Sequence, residues 1–288
     1  MDDLARQHEI ARQVHIHERI REAGAFSLFQ PSSFQRPWFQ TEKKITTLIK
    51  GNQVGGSTCL AVRTVGSCVG TMPLALGGII PSDWSRLRIR EKPGMYLMMG
   101  QSFTSTIATV ILPKLREFIS PDMLSKKPKK HPTGVPYIFY FKSGAELHLA
   151  SYEQDTESFE GALWNGVAFD EPPPRDIYVA CRRGTMRTKG WMMFAMTPLK
   201  NLWVYDELHM PAMQGKLDDV AAFEAHSHLN CIECNPGEGH ISHAEMQGQF
   251  ANLPPNERRA RELGIPLDIS AIRYYFVQRE SHVVPDLW

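Results

Sequence analysis

No apolar run in the 288-residue chain reaches the ~18 residues that a bilayer-spanning helix needs. The opening MDDLARQHEI lacks the basic stretch and apolar core of a secretory leader. An excess of one charge is also missing: 32 Lys+Arg stand against 31 Asp+Glu, a net charge of +1. Adsorption to a polyanion or an anionic membrane through bulk charge is thereby excluded, and a polyanion would have to be gripped by local patches. Cysteine is sparse and odd in number (Cys59, Cys68, Cys181, Cys231, Cys234), which argues against a disulfide framework. Neither an internal repeat nor a low-complexity tract is present. With 42% hydrophobic residues, the remaining expectation is a cytosolic globular protein with one sizeable core, or one core and a smaller satellite.

Within that frame the chain alternates between two periodicities. Residues 3–23 carry Leu4, Ile10, Val14 and Ile20 at loosely helical spacing among charges, the pattern of a surface helix. Apolar, β-branched or aromatic runs predict strands at 45–49, 95–99, 137–141, 145–150, 165–169 and 191–196. Helices are expected at 105–119, where Pro113 introduces a kink, and at 174–186. Lys142-Ser143-Gly144 splits two of the strands as a hairpin turn would. Apolar strands alternating with helices predict an α/β fold, a mostly parallel sheet flanked by helices. Past residue 200 the pattern weakens, with helices near 243–251 and 255–263, so a smaller C-terminal subdomain is expected there.

The sharpest signal is ITTLI running into KGNQVGGST and then a small, apolar helix. A strand, a glycine-rich turn and a helix opening on hydroxyls make an anion site, because loop and helix amides converge on a phosphate. The P-loop pattern G-x-x-x-x-G-K-[ST] places a lysine before the hydroxyl. Here, with Gly51 as the first glycine and Gly56 as the second, Ser57 stands where that lysine belongs. Lys50, one residue ahead of the loop, is the available substitute, its side chain curling back to reach β- and γ-phosphates. Phosphate contacts are assigned to Gly51, Asn52, Gln53, Val54, Gly55, Gly56, Ser57 and Thr58, and Mg²⁺ to Ser57 or Thr58 together with Asp170. NGVAFDEPP (165–173) is an apolar strand closing on Asp170-Glu171, the form of a Walker B segment. There the Asp organises Mg²⁺ and the Glu polarises water. WMMFAMTPL (191–199) ends on Thr197, a hydroxyl placed to sense the γ-phosphate.

In this order the pieces resemble the ATPase domain of a bacteriophage terminase large subunit, the viral DNA-packaging motor, over most of the chain. FQRPWFQTEKKI (34–45) resembles the family's adenine-contacting segment, with Gln40 or Gln35 as the contact. KGNQVGGST resembles its Walker A form in which lysine precedes the loop, FDEPP its Walker B and FAMTPL its coupling motif. RELGIPLD and ESHVVPDLW resemble the stretch before the nuclease domain. The resemblance implies a P-loop NTPase of RecA/ASCE type that binds ATP and Mg²⁺ and translocates double-stranded viral DNA. Its implied partners are portal protein and procapsid, a small terminase subunit and a homo-oligomeric ring; no membrane is involved. Its implied location is the host cytoplasm, with absence from the mature virion. The division expected is 1–35 as lead-in, 36–200 as ATPase core and 201–288 as a smaller subdomain and linker. Because the chain stops at Trp288, no nuclease residues are assigned.

An arginine at the γ-phosphate is also implied, with Arg116 and Arg182 or Arg183 as candidates. SKKPKKH (125–131) and the cluster Arg86, Arg88, Arg90 and Lys92 are candidate DNA-phosphate contacts. Cys231-x₂-Cys234 followed by His240-x₂-His243 offers four ligands for tetrahedral zinc. Two other functions compete. One is a nucleotide-binding scaffold that has lost hydrolysis along with the loop lysine. The other is a different P-loop translocase or helicase.

Overall fold

A computed structural model of the protein describes residues 24–76 and 94–267. The N-terminal helix expected at 3–23, the Arg86–Lys92 cluster and ESHVVPDLW lie outside the described residues. One eight-stranded sheet organises what is described: β1 Ile45–Lys50, β2 Met95–Gly100, β3 Leu124–Lys130, β4 Pro136–Phe141, β5 Glu146–Ser151, β6 Gly166–Asp170, β7 Trp191–Met196 and β8 Val220–Ala225. Its order is β3-β4-β5-β2-β6-β7-β1-β8. From β5 to β8 every pairing is parallel, and only β3 and β4 add an antiparallel edge. β7 separates β1 from β6, the arrangement of a RecA/ASCE-type P-loop sheet.

Why these segments are strands follows from their composition. β1, β6 and β7 are buried at every position, as central parallel strands covered on both faces must be. Alternate residues feed two separate cores. Leu48, Met98, Ala168 and Met193 face one side with the helix Gly56–Val69. Ile49, Met99, Phe169 and Phe194 face the other, with Ile177 and Tyr178 of the helix Arg175–Thr188. A third, much smaller cluster of Cys231, Met246 and Phe250 stands apart.

Among the helices are α1 Arg36–Gln40, α2 Gly56–Val69, α3 Leu112–Phe118, α4 Arg175–Thr188, α5 His243–Phe250 and α6 Pro255–Leu263. The helix expected at 105–119 is two pieces. A π-helical run spans Phe103–Ile111, and α3 follows with Pro113 in its first turn, where a missing N–H does no harm.

Two strands depart from the sequence reading. The basic stretch SKKPKKH, absent from the expected strands, falls largely in β3, an edge strand against β4. Its lysines suit an unpaired edge, and Lys126 Nζ sits 3.6 Å from the centroid of the Tyr140 ring. β8 falls in the stretch expected to be a looser subdomain, yet it pairs with β1 from Ile45↔Val220 to Lys50↔Ala225. VAAFEA is small and half-exposed, which is why it carries little hydrophobic signal. Among the described residues no helix is long and apolar enough to cross a membrane.

Candidate active site

Three parallel strands end side by side, and each delivers one reactive group. β1 delivers Lys50, 8% exposed although charged. The chain then turns through Gln53 (φ 62°) and Gly55 (φ 79°). The left-handed conformation at Gly55 favours glycine, and a side chain there would also displace Gln35 Nε2, 2.8 Å away. α2 begins immediately afterwards with no side-chain cap hydrogen bond, which leaves its first-turn amides available to an anion.

The Lys50 side chain folds back across the start of α2. A Cβ at Gly56 would lie 2.6 Å from both Cδ and Cε of Lys50, so the absence of a side chain at 56 is what admits the lysine. Lys50 Nζ donates to Thr197 Oγ1 at 3.2 Å and to Glu171 Oε1 at 3.3 Å. The Thr197 amide donates to the second oxygen, Glu171 Oε2, at 2.9 Å. Ser57 Oγ donates to Asp170 Oδ1 at 2.7 Å. That last bond revises the motif register. Ser57, rather than Thr58, meets the acidic strand end, so Ser57 does not stand in the missing lysine's place. Gly56 does, and Lys50 fills the space it leaves.

Burial pushes the Asp170 carboxyl above its ordinary range, while the nearby Lys50 charge and the Ser57 hydroxyl pull it partly back. Glu171 has φ 71°, a left-handed conformation rare for a side-chain-bearing residue. Tyr152 Oη donates to its carbonyl at 2.7 Å, and its own amide donates to Ala195 O at 3.0 Å. A cavity of about 460 Å³ opens here, lined by Lys50, Asn52, Gln53, Glu171, Thr197 and three residues that no motif assigned to it, Gln101, Lys200 and Arg261. Its cationic lining suits phosphate, and the neighbouring Ser57–Asp170 pair supplies the hard oxygen donors that Mg²⁺ takes.

The loop is also gripped from outside. The Gly51 amide donates to Ala225 O at 2.8 Å. Asn230 Nδ2 donates to Gln53 O at 2.6 Å and Ser227 Oγ to Asn52 O at 2.8 Å. Gln35 Nε2 donates to Val54 O at 3.0 Å, whereas Gln40 is exposed at the end of α1.

The candidate arginines lie elsewhere. Arg183 is exposed and pairs with Glu160 at 3.4 Å, and Arg182 lies 3.9 Å from Asp219. Both border a cavity beside Ile45, the first residue of β1, whereas Lys50 is its last. Five strand steps of ~3.3 Å separate those ends, so neither arginine serves the Lys50 cavity of its own chain. Arg116 is exposed on α3 and does not line that cavity. In the Cys/His segment, Cys234, His243 and His228 bring ligand atoms within 4.8 Å of one another. Cys231 Sγ lies 3.7 Å from His243 Nδ1. His240 is exposed and outside the group, and His228 takes the place expected for it.

A family model described as terminase large subunit, T4likevirus-type, N-terminal, matches residues 47–273. The large terminase subunit of Salmonella phage P22 is 24% identical over 299 residues, covering 92% of this chain and 56% of that protein. The large terminase from a thermophilic bacteriophage superposes with a TM-score of 0.58 at 12% identity, over 82% of this chain and 54% of that one. Structures of that thermophilic-phage enzyme include complexes with ADP and with ATP-gamma-S. The Thermus phage P74-26 large terminase ATPase domain matches with a TM-score of 0.51 at 14% identity, over 81% of this chain and 93% of that domain. The chain thus spans about half the length of the full-length relatives it matches.

Proposed function

Because the chain belongs to the family of terminase large subunits, T4-like type, N-terminal region, we propose that it is the ATP-hydrolysing motor region of a viral DNA-packaging machine. One observation carries this reading: an amine from outside the glycine loop lies between the β6 carboxylate and the β7 hydroxyl, where a γ-phosphate would be handled. The relatives from phage P22 and from the thermophilic phage are large terminases, and the latter binds ADP and ATP-gamma-S, which supports ATP as the substrate here.

In this reading the amides of residues 53–58 and the Lys50 ammonium hold the β- and γ-phosphates, the Gly51 and Asn52 amides being bonded to Ala225 O and Arg261 O, with Arg261 and Lys200 adding positive charge at the cavity wall. Ser57 and Asp170 would hold Mg²⁺, which would supply charge neutralisation to the phosphates. An entering γ-phosphate competes with Glu171 for the Lys50 amine. Once the amine transfers, the Glu171 carboxylate accepts a proton from the attacking water. The water oxygen bonds to the γ-phosphorus, the bond to the β-bridging oxygen breaks, and ADP and phosphate leave. Thr197 donates its amide to Glu171 and accepts from Lys50, so it registers both changes. Gln35, rather than Gln40, is the glutamine that steadies the loop.

The finer assignments follow as proposals. Residues 36–200 with β8 form the catalytic body, and 226–267 form a smaller unit against the loop. Double-stranded DNA is the track, β3 lysines are candidate phosphate contacts, and portal, procapsid and small subunit are the partners in the host cytoplasm. An arginine such as Arg183 or Arg116 acts only across a ring interface, on a neighbour's nucleotide.

The test is ATP turnover by the chain with DNA present. Lys50→Ala and Glu171→Gln are each expected to lower it by at least ~10²-fold, with Glu171→Gln still binding nucleotide. Unchanged turnover in Lys50→Ala would overturn the assignment of that amine.

A further inference from the structure

The Cys/His unit takes no part in the chemistry above, and its geometry asks for its own explanation. Cys234 Sγ lies 3.5 Å from His228 Nδ1 and 3.5 Å from His243 Nδ1, and Cys231 Sγ lies 3.7 Å from His243 Nδ1. A tetrahedral zinc with Zn–S of ~2.3 Å and Zn–N of ~2.0–2.1 Å sets its sulfur–nitrogen edges at ~3.6 Å. We propose that His228, Cys231, Cys234 and His243 form a structural zinc site, a closed Cys₂His₂ tetrahedron that staples residues 226–250 and braces α6 against the phosphate loop.

The surroundings support this independently of the distances. His228 Nε2 is held by Glu262 Oε1 at 2.9 Å, and that carboxylate is fixed in turn by Arg258 Nε at 2.9 Å. With Nε2–H donating to Glu262, the Nδ1 lone pair faces the thiols, the carboxylate–histidine–metal arrangement that orients a ligand. The Cys234 amide donates to Cys231 Sγ at 3.4 Å, bending the two cysteines into a knuckle. Gly239 closes it. A Cβ there would fall 2.2 Å from the backbone of Cys231, so the returning chain passes as close as a chain can. The apolar cluster beneath consists of Cys231, Met246 and Phe250 with two half-buried neighbours. So small a core leaves room for a metal staple to add to its stability. All four corners are protein side chains, leaving no open position for a substrate; the role is architectural.

The site also has somewhere to transmit its rigidity. Glu262 and Arg261 sit on α6, and the Arg261 carbonyl accepts from the Asn52 amide at 2.5 Å. A Cβ at Gly51 would lie 2.5 Å from Glu262 O, so α6 and the loop touch backbone to backbone. The metal thus locks the outer wall of the loop.

The full chain, purified without chelator, is assayed for metal by elemental analysis, and the apo chain is titrated with Zn²⁺ and with Co²⁺. One zinc per chain is expected. Cobalt should give thiolate charge-transfer and intense tetrahedral d–d absorption. Cys231→Ser, Cys234→Ser and His228→Gln should each lose more than nine-tenths of the metal, while His240→Ala keeps it. His243→Cys serves where a variant fails to fold, since a Cys₃His set should still hold zinc. Chelation should lower the Tm of the 226–267 unit by several degrees. Absence of metal both as purified and after titration, or full zinc retention in Cys231→Ser, would overturn the proposal. ATP turnover is not read in this experiment, so its outcome is separate from that of the motor assignment.

Discussion

The carboxyl ends of the strands and the Cys/His unit beside them achieve order by opposite means. At the strand ends, Lys50, Glu171 and Thr197 come from three distant points of the sequence and meet because each strand beneath them is buried from end to end. In the Cys/His unit, the four proposed ligands fall within 16 residues, 228 to 243, and beside Cys231 itself only Met246 and Phe250 are buried apolar side chains of its cluster. A site mounted on a large core inherits its rigidity, so its side chains can be changed for function without unfolding it. A site that is its own scaffold fails when any ligand or core residue goes.

The comparison breaks hardest at Gly56. Ala there puts a methyl 2.6 Å from the Lys50 side chain and 3.1 Å from Ala195 Cβ. Displacing the amine by about 1 Å is expected to cost ~10²-fold in turnover, while circular dichroism and Tm stay near those of the parent. A large loss of Tm would mean that the strand ends are less firmly backed than described. Phe250→Ala tests the other side. Truncating a fully buried phenylalanine costs about 3–5 kcal/mol, more than the small cluster holds. Hydrogen exchange should rise across 228–253 and stay slow in β1, β6 and β7; a uniform rise would show the two regions to be one cooperative unit.

A smaller effect reads out the acid. Asp170 is held above the ordinary aspartate range by burial, and Mg²⁺ takes the ionised form, so Mg²⁺-dependent nucleotide binding is lost as pH falls through that raised value. Ser57→Ala removes a donor that favours the charge. Its binding midpoint on the pH axis should therefore move upward; titration of a fluorescent ADP at graded pH detects the direction, and a downward shift would contradict the Ser57–Asp170 bond. By linkage, the raised pKa also means that this carboxyl costs stability above it and ceases to do so as pH falls below the unfolded value. Smallest is Gln35→Ala, which deletes the bond to Val54 O. About 1 kcal/mol, or roughly fivefold, should be lost in nucleotide affinity, with no change for Gln40→Ala.

Much of the sheet is legible in the sequence because six strands carry runs that water expels, and the loop is legible because glycine, lysine and hydroxyl stand in a short pattern. β3 is not, because its lysines and Pro128 suit an edge whose outer side faces solvent. β8 is not, because a sheet margin tolerates VAAFEA with little burial. At the site, spacing alone sets the register of the loop one residue off, since only the Ser57–Asp170 contact distinguishes the two alignments. Spacing likewise favours His240 over His228, because distance along a chain says nothing of which imidazole turns inward. Arg261 and Lys200 have no local signature; their place depends on α6 and the β7 exit folding over the loop.

Glu171 shows what the molecule accepts for the sake of one side chain. A left-handed backbone costs an ordinary residue about 1–2 kcal/mol, and glycine would occupy that turn without penalty. The tension is held by Tyr152 on one side and Ala195 on the other. It aims a carboxylate that a relaxed turn would send elsewhere, so replacing Glu171 by glycine should ease the backbone but strand the Lys50 ammonium and the Thr197 amide, leaving a chain that works hardly at all.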